Sequence, residues 1–394
     1  MAATIIKQLE YVAQLEAQLH GSPYSAVAER TVALAKSALE TELARLDETC
    51  ANAAVSAETS TEADLWTSHI KTLEWLLKLP TMSLIFETFK NVLTDEHVEL
   101  VQLFLKLTEI DPSGEDNYAI RFASEDGQTG VVKVLLANPH VDPSADDNFA
   151  IRYASHFGRT EVVKVLLADS RLSPDKPDPS ADDNYAIRLA SHYGHTDVVK
   201  MLLADPRVDP SANYNWAIRF ASKNGHTNVV KSLLADPRVD PSANNNEAIR
   251  IASANGRIDV VKVLLADPRV DPSADENCAI YFASANGRID VVKVLLADPR
   301  VDPSADNNSA IIFASHNGHT DVVKVLLADP RADPSADRNY AIRLASEDGH
   351  IDVVKVLLAD NRVNPFANNN EAIRMASKNG HTDVVNLLRN AKPF

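Results

Sequence analysis

Two histidine pairs stand at a spacing that metal sites use, His192-x-x-His195 and His316-x-x-His319. On one helix face, two imidazoles three residues apart would supply half of a tetrahedral zinc centre. Neither pair has a third or fourth ligand in its surroundings, so no metal is expected. Cys278 has no histidine partner implied by the pattern around it, which leaves a catalytic thiolate without its base. The chain also lacks His-Glu-x-x-His, Gly-x-Ser-x-Gly, Gly-x-Gly-x-x-Gly and a Walker loop. No cofactor is expected, and the chain is not expected to be an enzyme.

Composition narrows the classes further. Apolar residues make up 45% of 394 residues and charged ones 24%, the balance of a folded chain. A formal charge of -16 argues against wrapping nucleic acid or an anionic membrane, since either needs a basic footprint. Cys50 and Cys278 are the only cysteines, which excludes a disulfide framework and fits a reducing, intracellular and cytoplasmic setting. The stretch MAATIIKQLEYVAQ does not read as a signal peptide, and no run approaches the ~20 apolar residues of a membrane span.

The elements that position these residues follow from self-similarity. The string Asn-x-Ala-Ile begins at Asn117, Asn148, Asn184, Asn215, Asn246, Asn277, Asn308, Asn339 and Asn370. The spacing is 31 residues throughout, except for 36 between the second and third copies. Each copy reads as two short helices. Asn184 is expected to cap the first, accepting from the backbone N–H three residues on. Ala186, Ile187 and Ala190 give that helix a narrow apolar face. Gly194 stops it, because a helix C-terminus favours positive φ. Val198, Val199, Leu202 and Leu203 form the apolar stripe of the second helix, with Asp197 and Lys200 outside. Asp205-Pro206 and Asp209-Pro210 end helicity and lead back to the next copy. Ten of the twelve glycines are the nine inter-helix turns plus Gly130.

The stretch Tyr185-Ala186-Ile187-Arg188-Leu189-Ala190-Ser191, then Gly194-His195, then Asp197-Val198-Val199-Lys200-Met201-Leu202-Leu203 resembles the ankyrin repeat. The likeness covers every copy from about residue 112 onward. It implies an all-α ankyrin-type helix-turn-helix solenoid that binds macromolecules, with the Gly-His histidines in structural places. Two departures stand out. Asn and an aromatic or polar residue replace the family's Thr-Pro helix start. The unit is two residues shorter in the finger, so the β-hairpin tip is expected to be shortened or lost.

Three regions are expected. Residues 1–61 hold a helical hairpin and linker, with stripes Ile5, Leu9, Val12, Leu15, Leu19 and Val32, Ala35, Leu39, Leu43, Leu46 separated by Gly21-Ser22-Pro23. Residues 62–111 hold one or two degenerate capping repeats, carrying Leu73–Pro80 and His97–Leu105 in register. Residues 112–394 hold the nine regular repeats, closing on Asn386 and Arg389 as polar dressing.

Where the copies differ is where contacts are free to vary. The residue after the repeated Asn reads Tyr118, Phe149, Tyr185, Trp216, then Glu247, Cys278, Ser309, Tyr340, Glu371. The pair before the turn glycine reads Glu125-Asp126, His156-Phe157, His192-Tyr193, Lys223-Asn224, then mostly Ala-Asn or polar pairs. In the ankyrin family this pair faces the concave groove. The candidate partner-binding residues are therefore Tyr118, Phe149, His156, Phe157, Tyr185, His192, Tyr193 and Trp216, beside the insertion at 173–177. Half-buried packing is the competing account of the residues after Asn. A column of Arg121, Arg152, Arg188, Arg219 and Arg250 resumes at Arg343 and Arg374, and the finger aspartates Asp142, Asp178, Asp209, Asp240 and Asp271 are expected to neutralise it. The expected function is a scaffold or adaptor for a protein partner, with no nucleic acid and no membrane involved. The alternative is a structural subunit of a larger assembly.

Overall fold

The computed structural model describes residues 111–169 and 177–391, with a few positions between 93 and 105. The expected hairpin and linker at 1–61, most of the degenerate repeats at 62–111 and insertion residues 173–176 lie outside the described residues. The described residues form eighteen helices and no strand. The chain divides into two compact units, Met1–Ala154 with Glu161–Pro177 and Ser155–Thr160 with Asp178–Phe394.

In the second unit, inner helices run from Ala181–Tyr193 to Ala367–Lys378 and outer helices from Thr196–Ala204 to Thr382–Arg389. Inner helices pack on the inner helices of neighbouring repeats, and outer on outer. Ala186, Ile187, Ala190, Val198, Val199 and Leu202 are wholly buried, as are their counterparts in the next repeat. Outer helices of eight or nine residues would be marginal alone. Burial of each Val, Leu or Ile at roughly 1.5–3 kcal/mol is what holds them. The alanines let inner helices approach closely.

Gly194 has φ 84°, as expected of the residue that closes an inner helix. Its counterpart Gly158 serves a second purpose. A Cβ there would lie 2.5 Å from Nδ1 of His195, so the glycine makes room for the next repeat's imidazole.

Asn184 is not the helix cap expected of it. Asp182, Asp183 and Asn184 all take left-handed backbone, with φ of 52°, 57° and 59°. Asn and Asp tolerate this region better than other non-glycine residues, which accounts for the Asp/Asn-rich triplet in each copy. The left-handed turn directs the Asn184 side chain to the following repeat, where its Oδ1 accepts the Asp209 N–H at 2.7 Å. The same bond recurs from Asp240 to Asn215 and from Asp302 to Asn277, each at 2.8 Å.

The Asp-Pro elements are equally specific. Oδ1 of Asp209 accepts both the N–H and the hydroxyl of Ser211, at 2.9 and 2.6 Å. Asp236 grips Arg238 through Nε and Nη2. The same guanidinium donates to Val208 O at 2.8 Å and Leu203 O at 2.9 Å in the preceding repeat. Arg269, Arg300, Arg331 and Arg362 repeat this arrangement. Turns thus replace the hairpin tip, as the shortened repeat implies.

The first unit shows the same plan in Gly114–Asp126 and Thr129–Leu136, and holds all but the last two residues of Ala145–His156 and all but the first of Thr160–Leu167. Asn117 accepts the Asp142 N–H at 2.6 Å. Gly130 has its own reason: a Cβ would meet Val98 Cγ2 at 2.7 Å. Beside it, the Asp95 carboxylate accepts the Val131 N–H at 3.1 Å.

Candidate partner-binding site

The last residues of an inner helix precede a turn that must stay open to solvent, so their side chains are not needed for the core. Phe157 and Tyr193 sit there, 42% and 48% exposed. Aromatic residues left this open contribute little to folding.

These side chains do not stand alone. The His156 ring stacks on Phe157 at 4.4 Å and on Tyr193 at 4.7 Å between centroids. Tyr193 meets His192 edge-on at 4.7 Å. His192 lies 5.6 Å from Trp216 and 5.8 Å from Phe220, which stack on each other at 4.0 Å. Arg188 lies over both Tyr185 and Trp216, at 5.8 and 5.7 Å from their centroids. Six expected residues, His156, Phe157, Tyr185, His192, Tyr193 and Trp216, are therefore brought into one ladder across three repeats. Tyr118 and Phe149 lie in the first unit. There each stacks on the aromatic residue four positions on, Phe122 at 5.6 Å and Tyr153 at 3.9 Å.

Phe220 and Lys223 belong to the ladder and were absent from the expected set. Lys223 Nζ lies 5.5 Å from the Phe220 ring. The signal for Phe220 was its spacing of four from Trp216, which puts both on one helix face. A smaller aromatic contact in later repeats joins Tyr281 to Phe313 at 5.3 Å, edge-on.

The histidines of the Gly-His element hold repeats together. His195 Nε2 lies 2.8 Å from His156 O, and His226 Nε2 2.8 Å from His192 O. Arg257 and Arg288 stand at the same position in their repeats and donate from Nε to Lys223 O and Ala254 O. Burial first, and then neighbouring imidazoles, hold His156 below its ordinary pKa. Burial, with His226 and Lys223, does the same to His192. Burial also outweighs the His156 carbonyl at His195, which is lowered as well.

Arg121, Arg188, Arg219 and Arg250 are not paired by the finger aspartates expected to neutralise the column. Those are already engaged, Asp209 by Ser211 and Asp240 by Ser242. Arg188 donates instead to Asp183 O and Asp182 O, at 2.9 and 3.0 Å, in its own left-handed triplet. Arg219 pairs with Glu247 at 2.7 Å and Arg250 with Asp275 at 2.9 Å. Within the first unit, Arg121 pairs with Asp146 at 2.8 Å. Arg188 reaches its own triplet because a helical side chain points back over its first turn, whereas Arg121, Arg219 and Arg250 reach the start of the next repeat's inner helix.

Cys278 is held above the ordinary thiol range by burial and by Asp275, so the reactive thiolate is disfavoured. Among the described residues, no three His, Cys, Asp or Glu side chains are grouped to hold a metal ion. No described helix is long and apolar enough to cross a membrane.

Comparison with family models gives matches to ankyrin repeats (3 copies) over residues 185–275, 249–338 and 311–393. A second model, ankyrin repeats (many copies), matches residues 151–203. A search of curated proteins finds no match.

Proposed function

The chain belongs to the ankyrin-repeat family, whose repeats are generally protein–protein interaction modules, and from that premise we propose that it is a scaffold or adaptor. Its partner lies on the concave face, against the aromatic ladder of His156, Phe157, Tyr185, His192, Tyr193 and Trp216. The observation that carries this reading is the exposure of Phe157 and Tyr193 within a continuous set of stacked rings. Binding energy concentrates in a few large aromatic residues, and rings already held by neighbours lose little freedom on binding. Tyr118 and Phe149 are proposed as contact residues of the first unit taken by itself. The place of action is the cytoplasm.

Photo-crosslinking tests the proposal. A benzophenone amino acid at Tyr193, and separately at Ala285, would be activated in cells of the native source. Capture of a specific protein from position 193 and not from 285 is expected. Phe157→Ala should abolish that capture while leaving the melting transition unchanged. Equal labelling from both positions, or capture unaffected by Phe157→Ala, would remove the ladder as the site. Stoichiometric co-migration with one fixed complex through size exclusion would instead favour the structural-subunit alternative.

A further inference from the structure

The residue four after the repeated Asn is Arg188, Arg219 and Arg250 in the third to fifth copies, Tyr281 and Ile312 in the sixth and seventh, and Arg343 in the eighth. Where such an arginine of the second unit is followed by a carboxylate at the start of the next inner helix, the two are paired. Arg219 pairs with Glu247 at 2.7 Å, Arg250 with Asp275 at 2.9 Å, and Arg343 with Glu371. Arg188 meets Asn213 and Trp216 at those places, and its guanidinium lies over the Trp216 ring instead.

After Tyr281 and Ile312 the carboxylates remain and the cations are gone. Asp306 and Asp337 stand 25 residues on from them, as Asp275 does from Arg250. Both are exposed, and among the described residues neither carboxylate takes an ion pair or a hydrogen bond. Ile312 is buried and has no polar atom to offer. The Tyr281 ring is turned to Phe313, edge-on at 5.3 Å, and to Phe282 at 4.8 Å. Arg338 follows Asp337 directly, yet it pairs with no described carboxylate. Arg343 donates to the Asp337 backbone carbonyl, and its charge is committed to Glu371.

We propose that repeats six to eight hold a second docking site, which takes a basic segment of a partner protein whose arginines complete the interrupted column at Asp306 and Asp337. It goes beyond the ladder reading and does not rest on it.

Charge complementarity names the occupant, because equivalent carboxylates of this same array already hold a guanidinium. That group forks onto a carboxylate and also lies on aromatic faces, as Arg343 does over Tyr340 at 4.8 Å. The half-buried rings of Tyr281 and Phe313 lie on the inner helices concerned. Packed helices lie roughly 8–10 Å apart, so carboxylates one repeat apart cannot share one metal ion. One turn of a polyproline II helix, three residues and about 9.3 Å, spans that interval with both side chains on one side. The segment therefore carries arginines three residues apart.

The intact chain is titrated against fluorescent peptides of about twelve residues bearing Arg-x-x-Arg, read by polarisation. Saturable binding is expected, weakening as salt goes from about 50 to 300 mM. Lysine in place of both arginines should weaken it several-fold. Asp306→Asn with Asp337→Asn should weaken it by about tenfold or more. Asp290→Asn with Asp321→Asn removes the same charge from outer helices and should change binding by less than about twofold. Tyr281→Arg with Ile312→Arg fills the column from within and should abolish binding, since neighbouring copies carry arginine at that place. Equal losses from the two Asn pairs would reduce the binding to general acidity and overturn the site. No binding, equal binding of the lysine peptide, or full binding by the Arg variant overturns it as well. A dimer that Asp306→Asn with Asp337→Asn dissociates would assign these carboxylates to a second copy, against the proposal. None of these outcomes bears on the crosslinking test of the ladder.

Discussion

The carboxamide oxygen of Asn246 accepts the backbone N–H of Asp271 at 2.8 Å, across 25 residues and one repeat boundary. Asn246 does this from left-handed backbone, φ 56°, so one residue type meets a conformational need and a bonding need together. The two are separable by substitution. Asn246→Gly keeps the backbone and loses the acceptor, and should cost about 1–2 kcal/mol. Asn246→Ala loses both and should cost about 1–2 kcal/mol more. Asn246→Asp should be mildest. Urea denaturation of the three variants checks this order, and equal Gly and Ala losses would contradict it.

Arg300 donates to Val270 O at 2.9 Å and Leu265 O at 3.0 Å while Asp298 holds its other edge. A lysine reaches one such acceptor at a time and cannot copy the planar fork. Arg300→Lys should therefore destabilise by about 1–2 kcal/mol, despite keeping its charge. A double-mutant cycle with Asp298→Asn should show coupling, because the carboxylate orients the guanidinium. An additive cycle would mean the carbonyl bonds form without it.

Ser191, Ser222, Ser253, Ser284, Ser315 and Ser346 are all fully buried, and their hydroxyls find no hydrogen-bond partner among the described residues. A buried hydroxyl without a partner opposes folding. Ser253→Ala should raise stability by about 1 kcal/mol and leave the spectrum unchanged. A loss of stability on thermal melting would show that the hydroxyl is bonded after all.

Much of this fold was legible because each copy repeats its own punctuation. Gly194 marks the turn, and Val198, Val199 and Leu202 fall at helical spacing on a buried stripe. What could not be read was the destination of long-range bonds. Asp182-Asp183-Asn184 suits a helix cap as well as a left-handed turn, since Asn and Asp favour both for local reasons. Only the next repeat, 25 residues away, supplies the Asp209 N–H that decides between them. Arg188 likewise shows a charge in the sequence but not which carbonyls it covers. In the ladder, His156-Phe157 and His192-Tyr193 stood out by breaking the pattern before glycine. Phe220 did not, because its counterparts Leu189 and Ile251 make it look like ordinary packing.

Stability should fall in two steps on acidification. His156, His192 and His195 have folded pKa values below 6.5, so the unfolded chain binds protons first. Their contribution is complete above about pH 6.5 and declines as pH falls from there. Asp236, Asp267 and Asp298 lie below 3.8, chiefly through hydrogen bonds from Arg238, Arg269 and Arg300, so theirs is lost as pH falls below about 4. His195→Arg should be tolerated at pH 7, because Arg257 and Arg288 already fill that place. It should also shrink the first step, as read by chemical denaturation at pH 7 and pH 5.5. An undiminished step would move its origin away from His195.

The bonds that join one copy to the next obey a fixed arithmetic. Asn246 reaches 25 residues forward, and Arg300 reaches 30 and 35 residues back. Removing residues 246–276, one whole period, would put Asn277 where Asn246 stood and give Arg300 the Val239 and Leu234 carbonyls that Arg269 now holds. The Asn and Arg joints would close on chemically identical partners, while Arg219 would meet Cys278 in place of Glu247. A gained or lost period would therefore alter the number of copies and leave the Asn and Arg joints intact. The copies carrying His156 to Phe220 have no such substitute, because their aromatic residues each occur once.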